Sequence, residues 1–351
     1  MLAGSIAGRE IATLNRMTIL ADAEKATDFA VLSQRIRAAG LLRRRPGYYA
    51  VRLTLVTALY VGGWIAFATV GASWWVLAVG AVLAVAYAQV ALVAHDLAHK
   101  QVFKTRRWSE ALGMLAGNAG IGMSYGWWMN KHTRHHANPN HEDHDPDVEP
   151  DILVWSTRQA EKATGLARLI GGHQAELFFP LLLLEGFNLH VASARAIPGV
   201  KRRVLEGVLL YGHFAAYLAA VFLLLPPGMA LAFIAVHQGL FGLYLGCTFA
   251  PNHKGMPVLT AEDELDYLRK QVLTARNVRG GVWVDALLGG LNYQIEHHLF
   301  PNMPTPNLRK AQPIVEGYCK EAGVPYLSAG FVDSYAQALR HLHAAGAPLR
   351  G

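Results

Sequence analysis

Hydrophobic residues dominate four long stretches: Leu53 to Gly71, Ser73 to Ala94, Gly207 to Leu225 and Met229 to Ala250. None contains Lys, Arg, Asp or Glu. A bilayer's hydrocarbon core is about 30 Å thick and a helix crosses it in about 20 apolar residues, so each stretch predicts a transmembrane helix. Gly71-Ala72-Ser73 joins the first pair and Pro226-Pro227-Gly228 the second, which predicts two hairpins with short uncharged turns. Cations crowd the opposite ends: Arg43, Arg44, Arg45 and Arg52 before the first span, and Lys100, Lys104, Arg106 and Arg107 after the second. Lys201, Arg202 and Arg203 precede the third, and Lys254 follows the fourth. The positive-inside rule places these ends, and both termini, in the cytoplasm.

Two shorter apolar stretches, Ala111 to Met129 and Leu177 to Val191, are interrupted by polar residues, Gly and Pro180. They predict helices lying at the cytoplasmic interface, the first ending in Tyr125-Gly126-Trp127-Trp128, an interfacial aromatic pattern. Trp74 and Trp75 beside the first turn read as interface anchors. The segment from Pro301 on is polar and reads as a soluble cap. The expected fold is all-α: four transmembrane helices in two hairpins and a cytoplasmic helical cap, one membrane domain over 1–351. Its parts are a cytoplasmic segment (1–50), the first hairpin (53–94), an interfacial region (95–204), the second hairpin (207–250) and the cap (251–351). Met1-Leu2-Ala3-Gly4 lacks a basic region followed by an apolar core, so no signal peptide is expected.

Composition agrees. Charged residues make up 16% of the 351 and hydrophobic ones 52%, against about 25% charged in soluble chains. The net charge of +7 could serve nucleic acid, anionic lipid or an acidic partner; the apolar excess argues against nucleic acid. Cys247 and Cys319 are the only cysteines, so any metal chemistry rests on the 16 histidines.

Histidines cluster three times. His95-Asp96-Leu97-Ala98-His99 directly follows the second span, and an i, i+4 pair shares one helix face. His132-Thr133-Arg134-His135-His136 puts His132 on a face with both later histidines, while His135 and His136 point about 100° apart. Gln294-Ile295-Glu296-His297-His298 repeats that spacing with Gln leading. His253 lies just past the fourth span. The hairpin count brings these segments to one membrane face. Eight imidazoles are too many for one tetrahedral zinc; they suit two metals of higher coordination, and nitrogen ligation without thiolate suits iron and O₂ chemistry. His141 and His144, in a Pro- and Asn-rich stretch, read as loop groups or outer partners, and Asp96, Glu296, Asp143 and Asp147 as acceptors that orient imidazoles. His237 is 16 residues before His253, about 24 Å along a helix. With Gln238 and His213 it suggests an interhelix hydrogen bond or a tunnel wall.

These boxes, HDLAH, HTRHH and QIEHH, resemble those of the integral-membrane fatty acid desaturases, and the form QIEHHLFP is most similar to the front-end subgroup. The likeness covers about residues 35 to 320 and points to bacterial acyl-CoA or acyl-lipid members, hence to a bacterial cytoplasmic membrane. It implies a diiron centre held by His95, His99, His132, His135, His136, His253, His297 and His298, with O₂ as co-substrate. Gln294 stands where other subgroups carry a ligating histidine, and could bind iron, orient a water or pack. The implied substrate is a fatty acyl chain carried on CoA, a carrier protein or a lipid. Many front-end enzymes carry a fused haem domain with an HPGG motif; HPGG does not occur here, so the expected donor is a ferredoxin with its reductase or a separate cytochrome b5. The rival readings are a related diiron hydroxylase, ketolase or sphingolipid desaturase, and a membrane metal transporter, which would need its ligands nearer mid-membrane.

Overall fold

The computed structural model describes residues 28–350. The expectation of no signal peptide, and the first part of the expected N-terminal segment, lie outside the described residues. Four helices are long and apolar enough to cross a membrane: Pro46–Val70, Val76–Ala98, Arg203–Leu224 and Pro227–His253. Each covers most of one predicted span. Pro opens the first and fourth at positions where no helical N–H is lost. All four outrun their apolar windows at the same end, the end that carries the histidines. The second span therefore continues through His95, and the fourth ends on His253.

The second and fourth spans form the centre of the bundle, where Gly80 packs against Phe233 and His237. Phe67, Leu83, Tyr217, Val221 and Phe233 form an apolar core between the spans. Trp74 and Trp75 are exposed at the first turn. A second apolar core joins the N-terminal segment to the cap, where Leu32 and Ile36 meet Val272, Ile295, Leu308 and Val315. The cap's only strands among the described residues, Asn277–Arg279 and Ser328–Gly330, pair in parallel. Arg276, fully buried beside them, donates to the carbonyls of Pro251 (2.6 Å), Lys254 and Ser334 (3.1 Å) and so ties the end of the fourth span to the cap.

The two shorter apolar stretches are not single interfacial helices. The first is Arg106–Met114, a π-helical turn Leu115–Gly120, a break, and then the helix Tyr125–Ala137. The second is bent by 73° between Gln174–Leu182 and the next helix, where Gly242 of the fourth span packs against the bend. The π-turn explains three polar residues placed deep in the molecule. Backbone groups outside a regular helix still need partners when buried. The carbonyls of Ala119, Gly120 and Gly122 accept from His213 Nδ1 (2.9 Å), Tyr60 Oη (2.7 Å) and His190 Nδ1 (2.9 Å), each on a different helix. His237 bonds Tyr217 Oη at 3.0 Å, an interhelix hydrogen bond between the third and fourth spans.

On the other side of this turn, buried Glu206 accepts from Ser124 Oγ (2.8 Å), Gly126 N (3.0 Å) and Asn118 Nδ2 (3.2 Å). A carboxylate here also faces the positive end of helix Tyr125–Ala137. Removing one partner of a buried charge network leaves its donors unsatisfied, so Glu206→Ala is expected to destabilise the protein by about 3 kcal/mol. Thermal unfolding in detergent micelles checks this; an unchanged midpoint would show that the clamp is not needed.

Candidate metal centre

Four elements bring the histidines together. The second span presents His95 and His99 one turn apart. Helix Tyr125–Ala137, capped by Ser124 accepting from Trp127 N, presents His132, His135 and His136. The fourth span ends on His253. The short helix Gln294–Leu299, buried along its whole length, presents His297 and His298. The eight imidazoles sort into two groups whose ligand atoms lie within 4.8 Å of one another: His95, His99, His132, His136 and His297 in one, and His135, His253 and His298 in the other. The groups adjoin, since the rings of His136 and His298 stack at 4.3 Å. His135 and His136 thus face different groups, as their 100° separation on a helix requires.

The donor atoms crowd in a way hydrogen bonding does not satisfy. His132 Nε2 lies 2.7 Å from His99 Nε2 and 3.1 Å from His136 Nε2, and His136 Nε2 lies 3.2 Å from His297 Nε2. His95 Nε2, His136 Nδ1, His297 Nδ1 and His298 Nε2 are buried without a partner among the described residues. A neutral imidazole offers one donor and one acceptor, so every choice of tautomers leaves orphaned groups, each costing about 1–3 kcal/mol. Cations at the points of convergence remove the conflict by taking the lone pairs. Burial, reinforced by neighbouring imidazoles, holds His99, His132, His136, His297 and His298 well below the usual histidine range, so they are neutral and their lone pairs available. All-imidazole donors fit a pair of borderline transition-metal ions such as iron.

The outer partners differ between the groups. In the three-histidine group every Nδ1 donates to an acceptor: His135 to Asp145 (2.9 Å), His253 to the carbonyl of Thr274 (3.0 Å) and His298 to Gln271 Oε1 (2.9 Å). Burial alone would lower His135, but the carboxylates of Asp145 and Asp147 outweigh it and hold its pKa above the usual value. In the five-histidine group, Trp128 stacks on His132 at 4.5 Å, so this tryptophan is a wall of the site rather than only an interface anchor.

Other predicted residues fall differently. The Gln294 amide lies 2.9 Å from His253 Nε2, at the three-histidine group. Asp96 is held by Arg52 (3.2 Å) and Thr305 Oγ1 (3.2 Å) and comes no nearer than 3.8 Å to the His95 ring, so it ties the first span and the cap to the HDLAH segment. Glu296 points away from the imidazoles and accepts from Asn277 (2.7 Å) and Tyr326 (2.8 Å), because on its short helix it faces the opposite way from His297 and His298. Burial raises its pKa to about 7. His141 and His144 stack on each other at 4.4 Å in a loop outside both groups, and Asp143 in the same loop meets Arg158. Asp147 pairs with Lys131 at 2.9 Å and approaches His135 at 3.4 Å. Asp145, Gln271 and Thr274 were not singled out by sequence. Asp145 carried a signal in the acid-rich stretch after HTRHH; Gln271 and Thr274 carried none.

A cavity of about 1320 Å³ reaches the five-histidine group at His99, His132 and His136. Trp127, Met114 and Met129 are among its lining residues, with Glu110, Asn130 and Thr133, and the exposed cations Lys100, Arg106, Lys201 and Arg202 also border it. An apolar wall beside metal-ligating groups, with cations nearby, suits a molecule with an apolar tail and an anionic head.

Comparison with known proteins agrees with these features. The family model described as fatty acid desaturase matches residues 72–330. The chain is 34% identical to an acyl-lipid (9-3)-desaturase of Physcomitrium patens over 76% of its length and 53% of the relative's, so it spans about half of that protein. It is 28% identical to a Delta(8)-fatty-acid desaturase of Helianthus annuus (92% of this chain, 74% of the relative). It is 27% identical to a Delta(6)-fatty-acid desaturase of Caenorhabditis elegans (93% and 76%).

Proposed function

Because the chain belongs to the fatty acid desaturase family, we propose that it is an acyl desaturase whose eight box histidines hold two irons. The observation that carries this reading is the sorting of those histidines into two adjoining groups with unsatisfied ring nitrogens. When bound, the irons supply the oxidising power to take two hydrogens from adjacent methylenes, with O₂, two electrons and two protons yielding a cis double bond and two waters.

The chain's own residues do the rest. The cavity wall of Trp127, Met114 and Met129 binds the acyl chain, at about 0.8 kcal/mol per buried CH₂, and excludes water. Lys100 and Lys201 receive the phosphate shared by CoA, carrier-protein and phospholipid carriers, while Arg106 and Arg202 pair with Glu110 at the same cavity. Holding the chain in register sets which methylenes react. The same basic ends of the spans steer an acidic electron donor, a ferredoxin with its reductase or a cytochrome b5. We place the centre on the cytoplasmic side of the membrane, by the cation bias of the loops.

The test is a fatty acid profile of a host supplied with ferredoxin and reductase and expressing the chain, beside a His136→Ala control. The expected result is a new unsaturated acid with wild type alone, its double bond located by mass spectrometry of derivatives. A hydroxylated product instead would move the assignment to a diiron hydroxylase.

A further inference from the structure

The two strands of the cap are parallel, so both chains leave the sheet at the same end, beyond Arg279 and Gly330. One enters the short helix Val282–Leu287 and the other the helix Phe331–Ala345. The residues just past the strands are apolar and turned outward. Trp283 is 82% exposed and Val332 77%, and Val282, Leu287 and Phe331 are exposed beside them. Helix Val282–Leu287 is inside out for a soluble cap. Its one charged residue, Asp285, turns toward the cap and accepts from Asn292 Nδ2 (2.8 Å) and Tyr293 Oη (3.3 Å), with Arg309 at 3.6 Å, while the tryptophan faces out.

The depth of this edge is set by its contacts with the spans. The carbonyl of Leu287 accepts from Tyr244 Oη (2.7 Å) and Gln89 Nε2 (3.3 Å), and Gln89 also reaches the carbonyl of Ala286. Gln89 is six residues before His95, about 9 Å along the helix, and Tyr244 is nine before His253, about 13 Å. Both lie inside the uncharged apolar stretches of their spans. Side-chain donors placed there satisfy the last carbonyls of a helix where water cannot. Nearer the end of the fourth span, Tyr335 Oη donates to the carbonyl of Cys247, and the carbonyl of Gln337 sits against Gly255. Helix Phe331–Ala345 therefore packs beside the end of the span, and Phe331, at its start, lies against the Tyr335 ring (5.0 Å), whose hydroxyl reaches Cys247 inside the apolar stretch. The exposed span residues Val82, Val85 and Leu240 continue the same apolar surface away from the cap.

We infer that this edge of the cap, Val282, Trp283, Leu287, Phe331 and Val332, is a wedge inserted into the acyl-chain layer of the bilayer, its partner being membrane lipid. An apolar patch of this kind on a soluble surface would call for a partner; here it is tied to two membrane spans through Gln89 and Tyr244. Arg279, exposed at the sheet end of the wedge, donates to the carbonyl of Ser328 (2.7 Å), which places a cation where the wedge meets the headgroup layer. The cap expected to be soluble thus shares the bilayer with the spans.

The test is nitroxide labelling of W283C and V332C, in a chain carrying Cys247→Ser, reconstituted in phosphatidylcholine–phosphatidylglycerol vesicles. K310C, at an exposed position of the cap, is the aqueous control. Relaxation by O₂, which concentrates in lipid, and by a water-soluble nickel chelate are compared. Insertion predicts that the O₂-to-nickel ratio at 283 and 332 exceeds that at 310 several-fold. Equal ratios at all three positions would overturn the inference in favour of water. A fall of both accessibilities at 283 and 332 would overturn it in favour of a protein partner or a second copy.

Discussion

His298→Ala is expected to abolish turnover and to lower the iron bound per chain, the largest effect any single substitution of a box residue should give. His298 belongs to the smaller group, with only His135 and His253 as companions. Losing one of three ligands is harsher than losing one of five. Its ring also stacks on His136, so its removal opens a gap between the groups. Outer partners of metal ligands cost about 10–100-fold in affinity or activity when changed; a ligand should cost more. The comparison is His144→Ala, whose ring meets only His141 outside both groups, and which should leave iron content and product unchanged. Metal analysis of the purified proteins and product analysis by mass spectrometry read both variants. Wild-type iron and activity in His298→Ala would remove this residue from the ligand set.

Much of this site was legible in the sequence because its information is local. Spacing of three and four residues fixes which histidines share a helix face, and uncharged windows fix where the helices cross. The hairpin count then brings His95, His99 and His253 to one end. What was not legible depends on which way a short buried helix faces and on residues supplied from elsewhere. Glu296 and His297 are neighbours, yet one bonds Asn277 and Tyr326 and the other meets His136. Gln271 and Thr274 reach their imidazoles from the cap, with no motif to mark them. The stretch from Ala111 to Met129 reads as one helix by composition. Its π-turn and the break after it are held by residues distant in sequence: His213, Tyr60 and His190 donate to the carbonyls of Ala119, Gly120 and Gly122, and Glu206 accepts from Ser124 Oγ and Gly126 N.

Asp145→Asn is expected to weaken metal binding by about 10–100-fold while leaving the fold in place. Asp145 Oδ2 accepts from His135 Nδ1 at 2.9 Å and from Asn140 N at 2.7 Å, and Oδ1 accepts from Asp147 N at 2.9 Å. An asparagine with its oxygen toward His135 and Asn140 keeps those two contacts, gives up the one from Asp147 N, and loses the negative charge that makes the His135 ring a stronger donor to metal. The charge matters because the site is buried, where an ion pair is screened little. The effect should be confined to one group: His135 is the ligand that Asp145 touches, and the five-histidine group has no such carboxylate partner among the described residues. Chelator competition should therefore release one iron at lower chelator concentration than in wild type and leave the other as tightly held. Mössbauer spectra should show one altered iron signal beside one unaltered. The thermal midpoint of the metal-free protein separates this from a folding defect, since it should move little. Equal loss of both irons, or a metal-free protein that unfolds much earlier, would show that Asp145 supports the loop rather than the metal.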